Sequence, residues 1–220
     1  MAGDAQKRWP NPCLLRKHLR CALGLKGQKL WIPETASDHR SRAAAAFAFE
    51  IVVSLPREAY KRFMNYWLIK SEPHVYGIKQ LKKEKRAEWD GVRNYQARNM
   101  MRDDMKIGDL VLYYHSNCQE PGVVGVARVA SEPYPDHTQF NKRSKYYDEK
   151  SSRDNPRWVL VDFEFVAELQ EEVSLAVMKE DPRLEGMLIL RKGNRLSITP
   201  VEGKHFRRVC KLGGWKPDGK

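Results

Sequence analysis

The sequence predicts a mixed α+β domain wound around a strongly curved sheet or barrel, and three observations carry that reading. Short apolar runs, several of them alternating, recur through residues 65–220. Short helical patterns are interspersed among them. Gly, Pro, Asn and Asp clusters separate the runs, as turns between short strands require.

Residues 66–70, "YWLIK", form an apolar strand stopped by Ser-Glu-Pro. In 77–85, Ile78 and Leu81 stand at i, i+3 of a short helix. Asn94 is placed to cap a helix over about 95–105, whose Ala97, Met101 and Met105 fall on one face and turn to the core. Arg98, Arg102 and Lys106 repeat that spacing one residue on, as a basic stripe. Residues 107–116, "IGDLVLYYHS", are a Gly-Asp turn into a strand that is apolar on both faces and therefore buried on both. Residues 122–131 form the next strand, paired antiparallel to it through "NCQEPG". A long strand is expected over 157–169, a short helix over 174–184 ended by Asp-Pro, a strand over 194–201 and a terminal helical stretch over 202–210.

Between Pro133 and Pro156 lies a long irregular segment, and segments of that length are functional or disordered. It interleaves Tyr134, Phe140, Tyr146 and Tyr147 with Lys142, Arg143, Lys145, Lys150 and Arg153. Aromatic and basic groups together are what a nucleic-acid surface uses, although a solvated loop pinned by its tyrosines has the same composition.

The chain carries a formal net charge of +12, which favours a polyanionic partner. Residues 1–64 hold 12 Lys and Arg against 5 Asp and Glu, and residues 65–220 hold 28 against 23. More than half of the excess therefore lies in the part with no sustained period. Residues 1–63 read as a poorly structured basic extension, and "MNYWLIKSEP" at Met64 reads as the natural start, with the extension arising from translation upstream of it. A transit peptide is the competing reading, weakened by the lack of an amphipathic Arg face. No apolar run reaches the roughly 18 residues of a membrane span. Cys13, Cys21, Cys118 and Cys210 form no CxxC pair and no zinc spacing, and read as free thiols in a reducing compartment.

No P-loop, GxGxxG or HExxH is present. His115 stands near Ser116 and Cys118, but no nucleophile elbow accompanies them. Three clusters remain, each at the mouth of an apolar element as binding pockets are. They are Ser71–Glu72, the stretch from Trp89 to Asn94, and Tyr113–Ser116. An indole offers a stacking face, Gly91 permits close backbone approach, and the helix after Asn94 presents free N–H groups. Each has a plain structural reading too: Trp89 as a core residue, Asn94 as a cap alone, Glu72 as the partner of a lysine.

Taken together, "WLIKSEP", "WDGVRNYQARN", "MKIGDLVLYYHSNCQEPGVVGVARV", "YPDHTQF", "YYDEKSSRDNPRWVLVDFEFV" and "RLSITPV" resemble the EVE domain family, a branch of the PUA-like superfamily. The matches run in family order over about residues 65–209, and the start at Met64 resembles bacterial members. The resemblance implies a PUA-like curved β-barrel with flanking short helices over 64–212, followed by a tail over 213–220. It implies a non-enzymatic module that reads a modified nucleobase, modified cytosine in DNA first, with no metal and no cofactor. YTH domains, more distant relatives, use an aromatic cage, and by that analogy Trp89 is a cage wall and Ser71 an edge contact.

The expected base pocket is Ser71, Glu72, Trp89, Gly91, Asn94, Tyr114, His115 and Ser116, with Arg195 and Ser197 closing or supporting it and Tyr114 as its floor. Phosphate contacts are expected from Arg93, Arg98, Arg102, Lys142, Arg143 and Lys145. The expected partner is nucleic acid carrying a modified base, met in the cytoplasm of a bacterium or the nucleus of a eukaryote. The alternatives are an RNA-gripping accessory module and an enzyme acting on nucleotides or RNA with His115 and Glu72 as acid–base groups.

Overall fold

The computed structural model describes residues 64–216; the expectations for residues 1–63 lie outside them. The strands are β1 (Tyr66–Ser71), β2 (Arg86–Glu88), β3 (Leu110–His115), β4 (Gly122–Val129), β5 (Tyr134–Pro135), β6 (Val159–Leu160), β7 (Asp162–Ser174) and β8 (Ile198–Val201). The helices are α1 (Ile78–Glu84), α2 (Tyr95–Asn99), α3 (Leu175–Glu180) and α4 (Gly203–Leu212). Six strands form one mixed sheet in the order β2-β7-β4-β3-β1-β8, curled into a half-barrel, and β5 pairs with β6 beside it.

Only β1 and β3 run parallel; the other neighbours are antiparallel. A parallel pair needs a crossover, and here it is supplied by α1, β2 and α2. The curl comes from bulges. Register shifts fall between Tyr113 and Tyr114 against β4, and at Val123/Gly125 and Val126/Ala127 against β7. Each extra residue bends its strand and increases the twist. Gly125 also lets α1 approach: a Cβ there would meet Ile78 Cγ1 at 2.7 Å and the Ala167 carbonyl at 2.8 Å.

Strand alternation sorts the apolar residues into two cores. Trp67, Ile69, Val111, Tyr113 and Phe163 face one side with Ile78 and Leu81 of α1 and Ala97 and Met101 around α2. Leu68, Leu112, Tyr114, Leu169 and Val173 face the other with Met178, Phe206, Val209 and Cys210. The apolar triple at 97, 101 and 105 is buried, although the chain passes from α2 into a π-helical turn over Met100–Asp104.

The structure departs from the sequence reading in four places. The strand expected over 157–169 divides at Val161, because its first part pairs with β5 and the rest with β2 and β4, where it runs on to Ser174. Three-residue β2 is too short to show alternation. Residues 194–197 are irregular rather than a strand, with the Asn194 carboxamide accepting from Leu196 N–H at 3.0 Å. Residues 213–216, expected in the tail, pack on the domain: Gly213 C=O accepts from Gln170 N–H at 2.9 Å, and Trp215 meets Phe206 edge to face at 6.5 Å.

Candidate functional site

The parallel pairing of β1 and β3 brings their C-terminal ends together, with Ser71 opposite His115. Ser116 N–H donates to Ser71 C=O at 2.9 Å and continues the ladder past both strand ends. The loop after β1 folds back at once, since Val75 and Tyr76 N–H both donate to Glu72 C=O. Tyr76 C=O then accepts from Ser71 Oγ and from Tyr113 OH, each at 2.7 Å. His115 Nε2 accepts from Ile78 N–H at 3.2 Å and so caps the start of α1. Burial holds the His115 ring below the usual imidazole range, consistent with this acceptor role.

Trp89 leaves β2 with its N–H bonded to Val161 C=O at 2.9 Å. Its half-buried indole sits roughly perpendicular to three rings: Tyr76 at 6.4 Å, Tyr113 at 5.8 Å and Phe163 at 5.3 Å. The ring under Trp89 is therefore Tyr113 and not Tyr114. Tyr114 points through the sheet into the opposite core, because consecutive strand residues face opposite ways.

The facing wall is built by the segment 133–156, which is folded around three buried or half-buried groups. Asp136 is fully buried. Its Oδ1 accepts from Thr138 N–H at 2.8 Å and Thr138 Oγ1 at 2.6 Å; its Oδ2 accepts from Gly91 N–H at 3.0 Å and Arg93 Nη1 at 2.7 Å. Burial pushes the Asp136 carboxyl up, but these hydrogen bonds outweigh burial and leave it below the usual carboxylate range. Gln139 is buried and bonds both Asp136 C=O and Trp158 C=O. Asp148 receives the Trp158 indole N–H at 2.7 Å. Gly91 has φ +73°, and a Cβ there would lie 2.4 Å from the Tyr146 ring, so glycine is needed for both reasons.

These walls flank an open cavity of about 660 Å³, within the roughly 300–1,000 Å³ of ordinary ligand sites. Ser71, Glu72, Trp89, Gly91 and Ser116 line it, and Arg195 and Ser197 close one side. Asn94, Tyr114 and His115 do not. Asn94 is spent as the cap of α2, accepting from Ala97 N–H at 3.1 Å, and His115 is spent on Ile78. Sequence reasoning missed Lys70, Tyr76, Glu88, Asp90 and Tyr146, which also line the cavity. Asp90 and Glu88 flank Trp89 directly, and Tyr146 stood in the aromatic-basic loop, so position and composition both pointed to them. Burial, and then the neighbouring Asp136 carboxylate, push Asp90 above the usual range. Lys70 is lowered by burial and donates its Nζ to Asn194 C=O at 3.1 Å.

The expected phosphate contacts divide. Arg93 is corrected to a structural clamp: its five N–H groups go to Val92 C=O, Asp136, Thr138 Oγ1 and, twice, Tyr146 C=O, leaving no donor for a phosphate. Arg98 donates to Arg157 C=O at 2.9 Å and lies 4.8 Å from the Tyr95 ring, and Arg102 makes a two-bond pair with Asp103. The stripe is thus largely engaged within the protein. Lys142 and Arg143 are exposed, with no side-chain partner among the described residues, and Lys145 stands 4.8 Å from the Tyr146 ring at the cavity edge. Among the described residues, no cluster of three or more His, Cys, Asp and Glu is placed to hold a metal ion, and no helix is long and apolar enough to cross a membrane.

Residues 65–212 match the EVE domain family. The chain belongs to this family. Human thymocyte nuclear protein 1 is 38% identical over 178 residues, covering 72% of this chain and 78% of that protein. A solved protein from Leishmania major superposes with a TM-score of 0.65 at 42% identity, over 69% of this chain and 95% of that one. Human thymocyte nuclear protein 1 solved in complex with 5-methylcytosine-containing DNA superposes with a TM-score of 0.63 at 40% identity, over 70% and 99% of the two chains. The EVE and PUA-like architecture expected from the motifs is the one observed.

Proposed function

We propose that this protein is a non-enzymatic reader of modified cytosine in DNA, and that the base is turned out of the helix into the cavity beside Trp89. The observation that carries the reading is the preformed cavity with Trp89 fixed by three rings and a backbone hydrogen bond. The human EVE relative solved with 5-methylcytosine-containing DNA supports the choice of base. Stacking on an indole contributes about 1–3 kcal/mol per base, comparable to the few kcal/mol that extrusion costs. A rigid pocket adds no ordering cost of its own. Ser71, Ser116 and Ser197 offer small hydroxyls at the cavity wall; Lys145 and Arg195 of the lining and the exposed Lys142 and Arg143 are the cations assigned to phosphates in this reading. The site of action follows the host: the nucleus in a eukaryote, the cytoplasm in a bacterium.

The acid–base alternative is weakened, since His115, one of its two groups, lies outside the cavity lining with Nε2 already accepting from Ile78 N–H. Fluorescence anisotropy with matched duplexes carrying 5-methylcytosine or cytosine tests the proposal. The wild-type protein prefers the methylated duplex, and Trp89→Ala removes that preference while salt-dependent binding to both persists. Equal affinity of the wild-type protein for the two duplexes overturns the reading.

A further inference from the structure

Stacking and a slot for a methyl group cannot separate 5-methylcytosine from thymine. Both are pyrimidines with a C5 methyl. They differ on the hydrogen-bonding edge, where cytosine presents an N4 amine donor and thymine an O4 acceptor. A thymine opposite guanine is also easier to extrude, because a mismatch costs less to open. A cavity that reads modified cytosine therefore needs a group that accepts from the amine and rejects the carbonyl.

Three carboxylates line the cavity: Glu72, Glu88 and Asp90. Two of them already have partners. Glu72 lies 3.1 Å from His74 Nε2, and Glu88 lies 3.5 Å from His137 Nδ1. Asp90 has no hydrogen-bond or ion-pair partner among the described residues. It follows Trp89 directly, and the backbone is pinned on both sides, by Trp89 N–H on Val161 C=O at 2.9 Å and Gly91 N–H on Asp136 at 3.0 Å. Its short side chain therefore has little freedom relative to the indole. The nearest cation in sequence, Arg93, has spent every donor elsewhere. Asp90 is exposed at the cavity, so its carboxylate is open to a ligand, and an acceptor with no internal donor can take the one a ligand brings.

We propose that Asp90 determines the base specificity of this site: its carboxylate accepts a hydrogen bond from the exocyclic amine of the stacked base and repels a carbonyl oxygen in the same place. This rests on the base-reading function proposed above. Glutamate or aspartate accepting from cytosine N4 is a pairing that the base's own chemistry favours. The selected ligand class is thus an amino-bearing base, and the deamination product of 5-methylcytosine is excluded.

The test uses the full chain and three duplexes differing at one position, 5-methylcytosine:guanine, cytosine:guanine and thymine:guanine, with wild-type protein and Asp90→Asn. An amide donates as well as accepts, so the variant gains a bond to thymine O4, a gain that misfolding cannot imitate. Wild-type protein is expected to bind 5-methylcytosine:guanine at least about tenfold more tightly than thymine:guanine. In Asp90→Asn the affinity for thymine:guanine is expected to rise until the two differ by less than about threefold. Unchanged discrimination in Asp90→Asn overturns this assignment while leaving the reader function standing. The same gain from Glu88→Gln with Asp90→Asn silent overturns it as well. A wild-type protein that does not separate 5-methylcytosine from cytosine removes the reader function, and this assignment with it.

Discussion

The two faces of the curled sheet are held by different physics. The face toward α4 is closed mainly by packing, with Leu68, Leu112, Val126, Met178 and Phe206 all fully buried. The face toward α1 and α2 also has an apolar core, but its outer end is held open by hydrogen bonds: Asp136 to Gly91 and Arg93, and Ser71 and Tyr113 to Tyr76 C=O. Packing fills space, so a cavity at the end of a core is kept by directional bonds around it. The lesson shows at single-residue resolution in Tyr113 and Tyr114, which are adjacent and alike but serve opposite faces.

The contrast is broken most severely at Asp136. Asp136→Ala leaves Arg93 without its buried partner and should cost about 3–5 kcal/mol in urea unfolding, with loss of modified-base preference. On the packed face Phe206→Ala should cost a similar amount, about 3–5 kcal/mol. There, however, base preference should survive at temperatures where the variant is folded. If the two variants lose preference equally, the division between the faces is wrong. Tyr113→Phe removes the bond to Tyr76 C=O and should cost about 0.5–1.5 kcal/mol, visible as a lowered melting temperature. Tyr114→Phe removes a hydroxyl with no protein acceptor among the described residues and should leave the melting temperature unchanged. A further effect is on pH. The folded Asp136 carboxyl is held below its usual value, so its contribution is complete above the unfolded value of about 3.9 and is lost as pH falls through the folded one. Asp136→Asn should flatten the acid limb of the stability curve, read by melting scans between about pH 5 and pH 2.

What was legible in the sequence is what local periodicity encodes. Residues 110–115 read as a strand buried on both sides because apolar side chains occupy both parities, and the cap at Asn94 was legible because its oxygen acts three residues away. Which parity carried the site was not legible, since alternation says that two faces differ without saying what lies across either. The order in 133–156 was hidden for the same reason. It depends on Asp136 meeting Gly91 and Arg93, more than forty positions away. Arg93 looked like a phosphate ligand because a sequence shows a guanidinium and not the acceptors that consume it. Asp90 was legible only as part of the stretch from Trp89 to Asn94, since a sequence does not distinguish an acid at a cavity from one in open solvent.

The tie from Asp136 to Gly91 has a kinetic consequence. It joins the two walls of the cavity with a fully buried carboxylate, so the walls cannot part without exposing a charge pair that took four hydrogen bonds to settle. On the base-reading function proposed above, entry then waits on no gate at this tie. The clock for capture would be set by the nucleic acid, by how often a base leaves its stack, and sequences or lesions that loosen stacking would be captured faster.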